Sequence, residues 1–211
     1  MQIVEGVSVA TGDLMSRVLG AFIALGLAAL SGAAEARHIN IVALGDSNFG
    51  APGVSRSEAY PAQVERLLRA RGLDVSVANE GVNGDTTHGV MSRLGSAVPD
   101  GTDVVLLSIG INDWVYEHTP VATIRAQTKK IAQRLRARGI IVVVFKTGGR
   151  FQGSLFKNPK YHVEALDNPG LKGPPPGTTK WHLTGAGYAI IARQTLPQVL
   201  AAIAQAQKRQ K

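Results

Sequence analysis

The sequence predicts an α/β fold, a mostly parallel sheet of four to five strands covered by helices on both faces. Three observations carry that reading. Apolar runs rich in Val and Ile recur at Ile39–Leu44, Asp103–Ile109 and Ile140–Phe145, as strands buried on both faces do. Segments with helical start and stop signals lie between them. The connections are short, and strand–helix alternation with short connections means parallel strands with helices packed over them.

The elements follow in order. After the first strand, Gly45 permits a sharp turn into Asp46-Ser47. Ser57 reads as the N-cap of a helix over Glu58–Arg71, with Pro61 tolerated in its first turn and Gly72 as its stop. Its apolar face carries Val64, Leu67 and Leu68. Leu73–Ala78 alternates apolar and polar residues, as a strand with one solvated face would. Asn79–Thr87 reads as a polar, Gly-rich loop, and Thr87–Ala97 as a short helix ended before Pro99. Thr119-Pro120 caps the next helix, whose core face is Val121, Ile124, Ile131 and Leu135 until Gly139 stops it. Gly148–Lys180 breaks the pattern with Gly and Pro clusters, and Tyr161–Leu166 is a candidate edge strand within it. Thr184 then caps a last helix that Pro197 should kink or split.

The amino terminus stands apart. Arg17 precedes Val18–Leu30, an apolar run of 13 residues, and Ala34-x-Ala36 suits signal peptidase cleavage before Arg37. The run is short for a bilayer span, which needs about 20 residues, so residues 1–36 read as a signal peptide rather than an uncleaved anchor. Met15-Ser16-Arg17 opens a more ordinary n-region than residues 1–14 do, which makes Met15 an alternative start. Residues 37–205 then form the domain and 206–211 a basic tail. The expected location is periplasmic or extracellular, with no stable membrane span after cleavage. Without residues 1–36 the chain has 22 basic and 12 acidic residues, a net charge of +10. The basic residues are scattered along helices, so nucleic acid is not an expected partner. With no cysteine, stability rests on the core, which 175 residues can supply.

Ligands of open parallel sheets bind at the carboxyl ends of the strands, and four stretches belong to that rim. Asp46-Ser47 ends the first strand and offers an exposed serine with one backbone donor. Gly84, within Asn79–Thr86, can aim its N–H at an oxyanion. Asn112, in Gly110-Ile111-Asn112-Asp113, offers a carboxamide to the same spot. His182 precedes the last helix and brings an imidazole as general base. Each feature taken singly is also an ordinary strand end or turn. His38, His88, His118 and His162 read as structural. With no HExxH, no cysteine and no phosphate loop, metal and nucleotide chemistry find no support, and no cofactor is expected.

Taken in order, Gly45-Asp46-Ser47, Gly84, Gly110-x-Asn112-Asp113 and His182-Leu183-Thr184-x-x-Gly187-Tyr188 resemble the four blocks of the SGNH (GDSL) hydrolase family. The resemblance covers nearly the whole chain from Ile39 to the last helix. It implies a flavodoxin-like three-layer α/β/α sandwich and hydrolysis of a small acyl ester or thioester. It implies Ser47 as nucleophile, His182 as base, and Ser47 N–H, Gly84 N–H and the Asn112 side chain as the oxyanion hole.

One position departs from the pattern. The family places an aspartate three residues before the histidine, and here that residue is Thr179. A Thr hydroxyl or a backbone carbonyl would leave a Ser–His dyad; Asp167, or another acid from the long loop, could instead orient the ring. Two other readings stand beside ester hydrolysis: a carbohydrate O-acetylesterase on the same site, and a non-catalytic ligand-binding protein that kept the fold and lost the acid. On the signal-peptide reading, amino-terminal sequencing of the exported protein starts at or near Arg37; a retained Val18–Leu30 segment would instead mark an anchor.

Overall fold

The computed structural model describes residues 37–145 and 182–209. Its sheet has four parallel strands in the order β2-β1-β3-β4. These are β1 (Ile39–Gly45), β2 (Val75–Gly81), β3 (Val104–Ser108) and β4 (Ile141–Val144). The register pairs Ile41 with both Val77 and Val104, and Gly45 with both Gly81 and Ser108. The chain steps outward from β1 to β2, then crosses back to β3. The topological switch point therefore lies between β1 and β3, and the rim beyond their carboxyl ends is where such sheets hold ligands.

Helices cover both faces, which is why β1 and β3 are buried along nearly their whole length. On one face, Ile39, Ile41, Ala43, Val104 and Leu106 pack under α2 (Tyr60–Arg69) and α7 (Gly185–Lys208). On the other, Val42, Leu44, Val105 and Leu107 pack under α3 (Thr87–Ser92), α4 (Leu94–Ala97) and α6 (Val121–Ala137). This is the expected three-layer α/β/α arrangement. Two shorter helices, α1 (Ser47–Gly50) and α5 (Ile111–Val115), begin directly after β1 and β3.

Aromatic packing joins α1 to the first layer. The Phe49 ring stacks on Tyr60 at 5.1 Å between centroids, and Phe145 meets both edge-on, at 6.1 and 5.9 Å. The Tyr60 hydroxyl lies 2.8 Å from Thr195 Oγ1, which itself donates to the Ile191 carbonyl at 2.9 Å. The buried phenol therefore ties α2 to α7.

Several boundaries differ from the sequence expectation. α2 begins at Tyr60, not Glu58, with Ala59 as a cap that makes no side-chain bond. Pro61 fits a first helical turn, which sets the start, and Ser57 is used in a turn where Ser55 donates to Glu58 and contacts the Ser57 hydroxyl. β2 extends through Asn79, Glu80 and Gly81, expected as loop, because β1 continues to pair with it. The helix expected over 87–97 breaks at Arg93, whose side chain is drawn under the rim. Thr119 does not cap α6; its N–H goes to the Asp113 carbonyl at 2.8 Å and Pro120 takes the cap position. α7 runs through Pro197 as one helix, held to the sheet by buried Leu196 and Val199 on either side. The Tyr161–Leu166 strand lies outside the described residues.

The aromatic cluster sets a test. Tyr60→Phe should cost about 1 kcal/mol, the net worth of one buried hydrogen bond, while Phe145→Ala should cost about 3–5 kcal/mol through the void it leaves. Urea unfolding midpoints measure both.

Candidate active site

The site is built from the way β1 ends. A side chain at Gly45 would place its Cβ 1.9 Å from the Ser108 carbonyl oxygen of the neighbouring strand, so only glycine lets β1 and β3 stay paired there. Asp46 N–H donates to that same carbonyl at 3.2 Å. Asp46 then caps α1, its Oδ1 accepting from Asn48 N–H at 2.9 Å. Ser47 is thereby the first residue of α1 at the carboxyl edge, but buried at 9% exposure rather than exposed as expected, because the turn after β2 packs against the elbow.

The turn after β2 lies against this elbow. Val82 N–H donates to the Gly45 carbonyl at 3.0 Å, Asp85 N–H closes the turn on Val82 at 3.1 Å, and the Asn79 amide donates to the Phe49 carbonyl at 2.9 Å. Gly84 stands in the turn at φ +79°, a conformation that favours glycine. Its missing side chain would meet nothing within 4 Å, so the backbone there is open to a ligand.

The third stretch is tied to the second. Asn112 is 6% exposed, in the first turn of α5, and its Nδ2 donates to the Asp85 carbonyl at 2.7 Å. An amide nitrogen carries two protons, and one of them is committed here. Its neighbour Asp113, also buried, accepts from Thr87 N–H at 3.1 and 3.0 Å and from the Thr87 hydroxyl, pinning α5 to the start of α3. Beyond it, Trp114, Val115, His118, Thr119, Pro120 and Val121 line a cavity of about 350 Å³.

His182 is half-buried, two residues ahead of Thr184, whose Oγ1 caps α7 by accepting from Gly187 N–H at 3.3 Å. The helix start adjoins the elbow. Tyr188 is buried within electrostatic reach of Asp46: burial chiefly, and the Asp46 charge next, push its phenol above the usual range. Thr179, Asp167 and His162 lie outside the described residues. His88 and His118 are exposed. His38 bridges Asp74 Oδ1 at 2.8 Å and Ser76 Oγ at 3.0 Å. That relay has the composition of a triad, but it staples the starts of β1 and β2 at the amino end of the sheet, opposite the rim.

The profile of the GDSL-like lipase/acylhydrolase family matches residues 43–208, from the end of β1 to the end of α7, including the Ser47, Gly84, Asn112 and His182 stretches. The chain belongs to this family. Among relatives, the sequence is 28% identical over 111 residues to the protein named Esterase TesA of Pseudomonas aeruginosa, 52% of this chain and 55% of that one. It is 29% identical over 133 residues to the Arylesterase of Vibrio mimicus, 63% of this chain and 64% of that one. The chain thus spans between half and two thirds of the length of these relatives. The crystal structure of the acetyl xylan esterase AlAXEase superposes with a TM-score of 0.59 at 19% identity, covering 76% of this chain and 100% of that one, a likeness of fold.

Two GDSL-rim residues carry more than their sequence context signals. One is Arg93, which holds two backbone carbonyls 48 and 13 residues away in the chain; such bonds leave no spacing pattern. The other is Asp46. Its carboxylate is fully buried, Oδ2 has no hydrogen-bond partner among the described residues, and burial, helped by the charges of Asp85 and Asp113, raises its pKa from 3.8 to about 7. The raised value means that between those limits the folded state holds a proton the unfolded state has lost. Stability is then fully present below about pH 4 and is lost as pH rises toward 7. The expected slope is up to about 1.4 kcal/mol per pH unit. Asp46→Asn keeps the cap oxygen and should flatten it, read as urea unfolding free energies from pH 4 to 7.

Proposed function

We propose that this GDSL-family chain is an exported serine ester hydrolase acting on small acyl esters or thioesters. The Ser47 hydroxyl attacks the ester carbonyl while His182 takes its proton. The oxyanion is held by Ser47 N–H, Gly84 N–H and the second N–H of Asn112. His182 then protonates the leaving alcohol or thiol, and water repeats the sequence on the acyl-enzyme. The observation that carries this reading is the Asn112–Asp85 bond of 2.7 Å, which locks the carboxamide to the Gly84 turn beside the first residue of α1. Family membership and the esterase names of the relatives support it. Export is proposed on the apolar Val18–Leu30 run and the Ala34-x-Ala36 signal.

Carbohydrate O-deacetylation at the same site is the second reading, favoured by the exposed rings of Trp114 and Tyr116 beside the cavity. Activity of the purified protein on a panel of nitrophenyl esters and acetylated sugars decides between the two. Ser47→Ala should abolish either one; a variant that still bound a sugar or acyl ligand, against a parent with no turnover, would mark a non-catalytic binding protein.

The orienting group of His182 has its own test. If neutral groups orient the imidazole, Thr179→Asp should raise kcat. The gain stays below the roughly 10⁴-fold that loss of an orienting Asp costs a chymotrypsin-type triad, since that loss includes a wrong tautomer. If Asp167 orients it, Thr179→Asp is neutral or harmful and Asp167→Asn lowers kcat sharply.

A further inference from the structure

One guanidinium touches the supports of all three proposed oxyanion donors. Arg93, at the break between α3 and α4, has a side chain only 22% exposed. Its Nη2 donates to the Gly45 carbonyl at 3.1 Å and to the Glu80 carbonyl at 3.0 Å. Nε and Nη2 both lie 2.8 Å from Asp85 Oδ2, and Nη1 is 3.5 Å from Glu80 Oε2. Gly45 is the last residue of β1, two before Ser47, and its carbonyl also receives Val82 N–H. Asp85 follows Gly84, and its carbonyl receives the Asn112 amide at 2.7 Å. The path from Arg93 to each donor is therefore short: through Gly45 to Ser47 N–H, through Asp85 to Gly84 N–H, and through the Asp85 carbonyl to Asn112.

The alternatives for such an arginine are weaker here. A surface ion pair would be worth about 0–1 kcal/mol and would need no backbone partners. A hydrophobic stem packed on the core would not aim three nitrogens at a strand end, a strand neighbour and a turn carboxylate. The planar fork suits this position because several acceptors lie around one group, and an ammonium cannot match that geometry.

We propose that Arg93 is the positioning residue of the oxyanion hole, fixing where the Ser47, Gly84 and Asn112 donors converge. The inference rests on the ester-hydrolase reading of the site. Arg93 does not touch the substrate; it acts through Gly45 and Asp85. Its loss therefore weakens transition-state binding and leaves ground-state binding nearly intact, the signature of a kcat change at constant KM.

The test uses Arg93→Met, Arg93→Lys and Arg93→Ala in the purified protein, with p-nitrophenyl acetate as substrate. Rates are expressed per site titrated to completion with a fluorophosphonate, so that a smaller folded fraction does not register. Loss of one oxyanion donor costs about 10²–10³ in kcat, and donors that are misplaced rather than removed should cost less, about 10–10²-fold in Arg93→Met, with KM within threefold. Arg93→Lys, which keeps the charge without the fork, should recover only part of this. In Arg93→Ala, methylguanidinium at tens of millimolar should restore kcat several-fold and methylammonium should not. If Arg93→Met does not fold, the lysine variant decides alone: a kcat at least fivefold down at unchanged KM supports the inference. A kcat per titrated site within twofold of the parent in the variants that fold overturns it, as does rescue by methylammonium and methylguanidinium alike. Ser47→Ala separates the two failures. Should it retain activity, the hydrolase reading itself fails; should it abolish activity while the Arg93 variants keep the parent kcat, only the role of Arg93 falls.

Discussion

The carbonyl and the missing side chain of Gly45 set the geometry on which the rim depends. The carbonyl receives Val82 N–H from the turn after β2 and Nη2 of Arg93, while the bare Cα sits against the Ser108 carbonyl of β3. One residue thus fixes the spacing of the central strand to both neighbours at the point where the chain turns into Ser47. A methyl group there would separate β1 from β3 or displace the strand end. Either change would move Ser47 and Asp46 relative to Asn112, since Asp46 N–H and the start of α5 both take their places from the end of β3.

From that end, the site is assembled by exchanges among three connections that are distant in sequence. Asn79 holds the Phe49 carbonyl, Asn112 holds the Asp85 carbonyl, and Asp113 holds the amide and hydroxyl of Thr87. Side chains of one connection cap backbone groups of the next, which satisfies polar groups that loops at a buried rim would otherwise leave unpaired. Asp46 is the exception. One carboxylate oxygen caps α1 and the other is buried with no partner among the described residues, an arrangement that favours the neutral acid and sets a stability penalty on ionising it. Unsatisfied, strained or charged groups tend to survive where function requires the geometry they belong to.

The layers were legible in the sequence because the strand signals are strong: β-branched runs at Ile39–Leu44, Asp103–Ile109 and Ile140–Phe145 need two covered faces, and the sheet provides them. Boundaries were less legible where a competing local preference won. Prolines 61 and 120 set the starts of α2 and α6, so Ser57 and Thr119 found other partners. Asn79 and Glu80 look like loop residues, yet parallel pairing to Ala43 and Leu44 carries them into β2. The placement of Ser47, Gly84 and Asn112 just beyond the carboxyl ends of β1, β2 and β3 was legible from residue type and position after strands. Arg93 was not, because its carbonyl partners lie at separations of 48 and 13 residues and carry no side-chain signature. Nor does sequence tell that Gly84 is required by its dihedral angle while Gly45 is required by the approach of a neighbour.

The charges at the rim give the bracing a reason. Although the whole chain carries a formal charge of +8, the described site gathers Asp46, Asp85 and Asp113, and the charges of the last two add to burial, the main cause, in raising the Asp46 pKa. On the proposed mechanism, acids that no cation offsets favour the imidazolium that forms and disfavour an oxyanion. On that mechanism, diffuse positive charge elsewhere on the surface does little for an oxyanion beside Ser47, being screened over about 10 Å. Donors aimed at the oxygen itself can stabilise it, and aimed dipoles act without reorganising when they are held in advance. Arg93 serves both needs: its cation neutralises Asp85, the carboxylate beside Gly84, and its fork holds the Gly45 and Glu80 carbonyls in place. On the proposed mechanism it is the aim of the held donors, not charge elsewhere on the surface, that would stabilise the oxyanion.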